Sequence, residues 1–201
     1  MSPGLTIPLA LLAAYVVGSI DFAVIVARMH GVDIHQAGSG NPGTSNVLRT
    51  LGRLPAAMVL VGDMLKGTVG AAMGMVASGV SDPMGQWAFA AGFAAVIGHC
   101  YPIFHKFKGG KGVATGAGLL LFTVPLAAVI EFALWGVIVK VTKTASIGSL
   151  VIMVITIPIL IWQGVDGASL VWVALIIALI VWRHRGNIQR MLAGREHKVT
   201  T

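Results

Sequence analysis

Charge is the scarcest commodity in this chain. Only 10% of its 201 residues are Asp, Glu, Lys or Arg, where a water-soluble domain carries about 25%. A surface solvated on every side is therefore excluded, and with it the ordinary soluble enzyme or binding module. Acids are rarer still, seven against fourteen Lys and Arg, for a formal net charge of +7. The single Cys100 excludes an internal disulfide and says little about redox compartment. No cation precedes Arg28, so the first apolar run lacks the basic flank of a secretory signal and reads as a retained span. Internal repeats, inverted or parallel, of the kind transporters carry are also missing.

Hydrocarbon fills the gap. The chain is 56% hydrophobic, with a mean hydropathy of +0.87. Seven apolar runs lie at about 7–29, 54–77, 85–100, 113–124, 126–141, 147–162 and 168–182, and several approach or exceed the ~18 residues a membrane helix needs. The predicted class is an all-α polytopic integral membrane protein, one embedded domain of seven spans over 1–201, with the fourth to sixth runs short or broken. Lys and Arg gather in the loops 30–53, 101–112 and 142–146 and in the tail after Trp182, while the alternate loops hold none. That split puts the basic loops in the cytoplasm, the N-terminus outside and the C-terminus inside. It also accounts for the net charge without nucleic acid, since no basic helix face with interleaved aromatics exists. Small-residue steps at Gly70/Gly74 and Gly112/Gly116 suit close helix packing.

Polar chemistry is concentrated in four places. In the first, Gly38, Ser39, Gly40, Asn41, Gly43, Thr44, Ser45, Asn46 and Arg49 fall within a dozen residues. Glycines allow φ > 0 turns that aim N–H groups into an anion nest, and the run from Thr44 can open a helix whose free N–H groups face the same anion. Arg49, about one turn in, offers a bidentate fork. The Gly38-x-Gly40-x-x-Gly43 spacing mimics a dinucleotide fingerprint, but that needs a βαβ unit, and apolar spans flank it here.

The second, residues 98–115, carries Lys108, Gly109, Gly110, Lys111 and Gly112, a glycine-rich turn ahead of a short helix and again suited to phosphate. A Walker loop would need Gly at 105 and Ser or Thr at 112; His105 and Gly112 stand there. His99, Cys100 and His105 make only a weak metal set, and no metal is assigned. In the third, Ser146 and Ser149 are one helical turn apart at a span's mouth, Ser146 fitting an N-cap and Ser149 a ligand contact. In the fourth, His184 and Asn187 share a face where the last span ends, beside Arg185 and Arg190, which read as interfacial anchors. Within the spans lie Asp21, Asp63, Lys66 and Glu131, ionisable groups that face a cavity or a partner at such depth; Asp63 and Lys66 are spaced to pair.

With these residues in place, the chain resembles the acyl-phosphate-dependent glycerol-3-phosphate acyltransferases of bacterial membranes, the PlsY family. The resemblance runs over nearly the whole chain and rests on four co-occurring segments: Gly38 to Arg49, Gly98 to Thr115, Ser146-x-x-Ser149 and His184-x-x-Asn187. Thr44-Ser45 stands where the family usually has Ala-Thr, Lys143-Thr144 where Arg-Tyr is common, and Asp21 where Pro is usual. The resemblance implies seven spans in the bacterial inner membrane and a cytoplasm-facing site. It implies acyl transfer from acyl phosphate to the 1-hydroxyl of glycerol 3-phosphate, without cofactor, metal or obligate protein partner. Matched to catalytic positions are Ser39, Lys111, His184 and Asn187; Arg49, Ser149, Lys108 and the remaining glycine-segment residues match substrate binding. The His-x-x-x-x-Asp spacing of acyl-CoA-dependent acyltransferases is absent. On this reading the first segment takes the acyl phosphate, and Arg49, Lys111, Ser149 and His184 grip glycerol 3-phosphate. The rival is an organophosphate or anion transporter with a basic vestibule; a non-catalytic scaffold would leave the four segments idle.

Overall fold

The computed structural model describes residues 3–199, and among them every regular element is helical. Each apolar run of the sequence forms a helix. The first divides into α1 (Pro3–Gly18) and α2 (Phe22–Met29); α3 (Thr44–Leu51) precedes α4 (Arg53–Ser78) and α5 (Gln86–Cys100). A 3-10 turn at Ile103–His105 leads to α6 (Val113–Thr123), α7 (Pro125–Thr142), α8 (Ala145–Trp162), α9 (Gly167–Arg183) and α10 (Arg185–Leu192).

The break in the first run was not expected, and it explains Asp21. Its carboxyl accepts from Val24 N at 3.0 Å and caps α2, so the chain restarts its helix there. Five segments are long and apolar enough to cross a membrane, and α9 with α10, bent by 51°, makes a sixth. Helix α6, at eleven residues, is about 16 Å long, half of a ~30 Å hydrocarbon core. The protein is a multi-pass, all-helical membrane protein. The expected sidedness of the two ends falls partly on residues 1–2 and 200–201, which lie outside the described residues.

Helix α4 is the central post, packed by α1, α5 and α6. Contact there is backbone to backbone. A Cβ on Gly67 of α4 would lie 1.9 Å from Thr115 O of α6, and one on Gly118 of α6 would lie 1.9 Å from Met64 O of α4. Between α4 and α5, a Cβ on Gly74 would sit 2.0 Å from Trp87 O. The Gly70/Gly74 step therefore packs as expected. Gly112/Gly116 does so only at its first member: Gly112 takes φ +90° to start α6 and its Cβ position lies 2.8 Å from Val96 Cγ1 of α5, whereas Gly116 faces a cavity with no atom nearer than 3.8 Å to its Cβ position. Helices α7 and α8 lie outermost, exposing Val129, Phe132, Val137 and Val154, an apolar face that suits hydrocarbon.

Candidate active site

All four polar segments converge at one end of the bundle, around a cavity of about 500 Å³ that continues between α6, α7, α8 and α9. Ser39, Asn41, Gly43, Thr44, Ser45, Asn46, Arg49, Lys111, Gly112, Ser149, His184 and Asn187 line it. Gly38, Gly40, Lys108, Gly109 and Gly110 do not; Lys108 is exposed to the outside.

The first loop is built around Asn46. Gly38 and Gly40 take φ of 57° and 70°, which carries the chain back over the start of α3. There the buried Asn46 amide accepts from Ser39 N at 2.8 Å and donates to Ala37 O at 2.9 Å. Gly40 N is bonded to Ala37 O. Asn46 is thus a staple of the loop, and the Ser39 and Gly40 N–H groups are spent on the loop rather than offered to an anion. What faces the cavity is the first turn of α3, with Thr44 Oγ1 buried and unpartnered, and Arg49, whose Nη2 donates to Ser39 Oγ at 3.2 Å.

The second loop is clamped from its carbonyl side. Arg183, at the end of α9, donates from Nη2 to Gly109 O (2.6 Å) and from Nε to Gly110 O (3.0 Å), with its guanidinium 5.1 Å from the Tyr101 ring. Gly110 N donates to His99 O at 3.0 Å. A Cβ at 110 would meet His99 Nε2 at 2.1 Å and Pro42 O at 2.8 Å, so only glycine fits between the imidazole and the first loop. His99 in turn places Nδ1 3.5 Å from Asp63 Oδ1, and Asp63 pairs with Lys66 at 2.8 Å as its spacing predicts. Lys66 also donates to Ile20 O at 2.9 Å, tying the pair to the break after α1.

Lys111 leaves this clamp and enters the cavity, donating to Asn187 Oδ1 at 2.5 Å. Burial pushes its ammonium down to about 8; the Glu196 charge opposes this, and Arg190, Arg49 and Arg183 add to it. His184 directs Nδ1 at Ile180 O, 2.8 Å away, so that nitrogen carries the proton and Nε2 is left as an acceptor. Ser149 donates to Ala145 O at 3.0 Å and accepts from Trp135 Nε1 at 3.3 Å. Ser146 is not the N-cap its position suggests. Thr144 occupies the cap, and Ser146 Oγ donates to Glu196 at 3.0 Å. Arg185 behaves as an anchor, its guanidinium 4.6 Å from the Trp182 ring.

Two residues of this site escaped the sequence reading. Glu196 returns on the tail to bridge three groups: Oε1 accepts from Asn187 Nδ2 (2.5 Å) and Ser146, and Oε2 from Arg190 Nε (3.0 Å). Burial raises its pKa, but those hydrogen bonds and the Arg190 charge outweigh it and hold the carboxyl below its usual range. The signal was a lone acid within a basic tail. Arg183 was hidden because a cation closing a span also reads as a membrane anchor.

A cavity with a cationic, hydrogen-bonding mouth and an apolar interior suits an anionic headgroup joined to a hydrocarbon chain. Residues 8–194 match the sequence profile of the family described as glycerol-3-phosphate acyltransferase. The glycerol-3-phosphate acyltransferase of Pseudomonas fluorescens (strain ATCC BAA-477) is 40% identical over 184 residues, 91% of this chain and 94% of the relative. That of Pseudomonas paraeruginosa is 43% identical over 185 residues, with the same coverage. Among solved structures, PlsY (YgiH), an integral membrane glycerol 3-phosphate acyltransferase, superposes in its glycerol 3-phosphate form with a TM-score of 0.90. It is 36% identical to this chain, covering 97% of this chain and 96% of its own. Its lysophosphatidic acid form gives 0.87 at the same identity, covering 96% and 94%. The chain belongs to the glycerol-3-phosphate acyltransferase family.

Proposed function

We propose that this protein transfers a fatty acyl group from acyl phosphate to the 1-hydroxyl of glycerol 3-phosphate, releasing lysophosphatidic acid and phosphate. The observation that carries this reading is the meeting of Arg49, Lys111, Ser149, His184 and Asn187, from four distant segments, in one cavity whose interior is apolar. Family membership and the two solved forms of PlsY support the acceptor; the acyl-phosphate donor is our inference from the cations that face one cavity from separate segments, Arg49 with the first turn of α3 and Lys111. The site faces the cytoplasm of a bacterial inner membrane, in a single domain of seven spans with the N-terminus outside. The opposite end of the bundle favours this sidedness and disfavours anion transport, for its loops 79–85 and 163–166 carry Asp82 and Asp166 and no Lys or Arg.

In this mechanism the first turn of α3 and Ser39 hold the acyl phosphate, and Arg49, Lys111, Ser149 and His184 hold glycerol 3-phosphate, with Asn187 fixing the Lys111 ammonium. Acyl phosphate is an activated anhydride, so alignment supplies most of the rate, about 7–11 kcal/mol at best. The 1-hydroxyl oxygen attacks the acyl carbon and the bond from that carbon to the bridging phosphate oxygen breaks. His184 Nε2 accepts the hydrogen bond of the attacking hydroxyl, and its proton ends on the departing phosphate. Cations and N–H groups placed at the phosphate and the developing oxyanion contribute about 3–4 kcal/mol for each strong donor.

The deciding experiment offers purified protein glycerol 3-phosphate with either acyl phosphate or acyl-CoA. Phosphate release with lysophosphatidic acid formed from acyl phosphate alone is expected. Turnover of acyl-CoA instead would reassign the donor. Uptake of labelled glycerol phosphate into liposomes without acylation would make the protein a transporter.

A further inference from the structure

The cavity wall carries a polar spot that the proposed reaction does not use. Glu131, on α7, is only 6% exposed and lines the cavity, and its Oε1 has no hydrogen-bond partner. The Thr156 hydroxyl of α8 lies beside this carboxyl, but its proton is engaged with Ile152 O at 2.9 Å. The same cavity is lined by hydrocarbon from Leu119, Ile152, Met153 and Ile176. Thr156 stands seven residues beyond Ser149 on the same helix, about 10 Å farther from the headgroup end.

Buried polar atoms are nearly always satisfied, and an exception calls for a ligand or a water. A plain hydrocarbon tail lying in this channel would displace any water and leave Oε1 unpaired. A hydroxyl can donate, which matches a carboxylate oxygen beside a hydroxyl oxygen whose own proton is spent, both of them acceptors. A keto oxygen only accepts, and matches less well. We infer that Glu131 and Thr156 form a chain-recognition subsite that admits an acyl donor carrying a hydroxyl in mid-chain. The distance from Ser149 separates this subsite from any hydroxyl close to the acyl carbonyl. The inference rests on the acyl-transfer reading given above.

The test uses the full-length purified protein, glycerol 3-phosphate and a set of acyl phosphates of one chain length. These are either unsubstituted or carry one hydroxyl at successive carbons. The wild-type ratio of kcat/KM, hydroxylated over plain, should peak at one mid-chain position. Glu131→Leu should lower that peak about tenfold, the value of one hydrogen bond, and change plain-chain turnover by about twofold at most. Glu131→Gln should keep the peak. Should the Leu variant fail to fold, Thr156→Val decides in its place and should lower the same peak. A flat wild-type profile overturns the inference, as does an equal loss for plain and hydroxylated chains. Absence of turnover with every acyl phosphate is a different result, which overturns the donor assignment and this subsite with it.

Discussion

At the scale of single residues, Lys111 is caught between solvation and use. It must be charged to hold a phosphate, yet burial brings its pKa to about 8, against an ordinary value near 10.4. The charged form is lost as pH rises through about 8, so kcat/KM for glycerol 3-phosphate should fall above that pH, a limb that reports the free enzyme. Lys111→Ala should cut turnover at least about a hundredfold while the melting temperature in detergent stays near wild type. Glu196 raises the Lys111 pKa by its charge. Glu196→Gln should therefore move the alkaline limb to lower pH, and a limb left in place would count against the coupling. That Arg49 and Lys111 face one cavity was legible in the sequence, because each cation stands in or just after a glycine-rich turn. The part played by Asn46 was not, because its partners are backbone atoms up to twelve residues away.

At the scale of elements, the glycine loop is only as well ordered as the helix end that grips it. Arg183 binds two successive carbonyls from one guanidinium, a fork that an ammonium cannot reproduce. Arg183→Lys should raise KM for glycerol 3-phosphate about tenfold, the value of one or two charge-assisted bonds, with a smaller change in kcat. Steady-state kinetics on the variant separate the two. The tail works as a strap in the same way: Val199 N donates to Lys143 O at 2.7 Å, and Lys198 Nζ to Thr142 O at 3.2 Å. Helix positions were readable from hydropathy to within a few residues, because long apolar runs admit no other structure in lipid. The break at Asp21 was not, since apolar sequence continues on both sides and only a single cap residue marks it.

At the scale of the whole molecule, the bundle depends on glycine backbones in direct contact along α4. Gly118→Val should cost about 1–3 kcal/mol, because the added atoms must push α6 away from Met64. Thermal melting in detergent measures it, and an unchanged melt would show that α6 can shift freely. Which small residues make these contacts could not be read from spacing: Gly118 packs, while Gly116, two positions earlier, opens onto the cavity. The same architecture obeys a parity rule. Two helices separate each polar segment from the next: α4 and α5, then α6 and α7, then α8 and α9. Each pair of helices returns the chain to the end of the bundle it left, so removing or adding helices in pairs leaves the remaining segments at a common end. An odd change would strand everything downstream at the far end of the bundle, with each segment intact in sequence and none able to meet its partners.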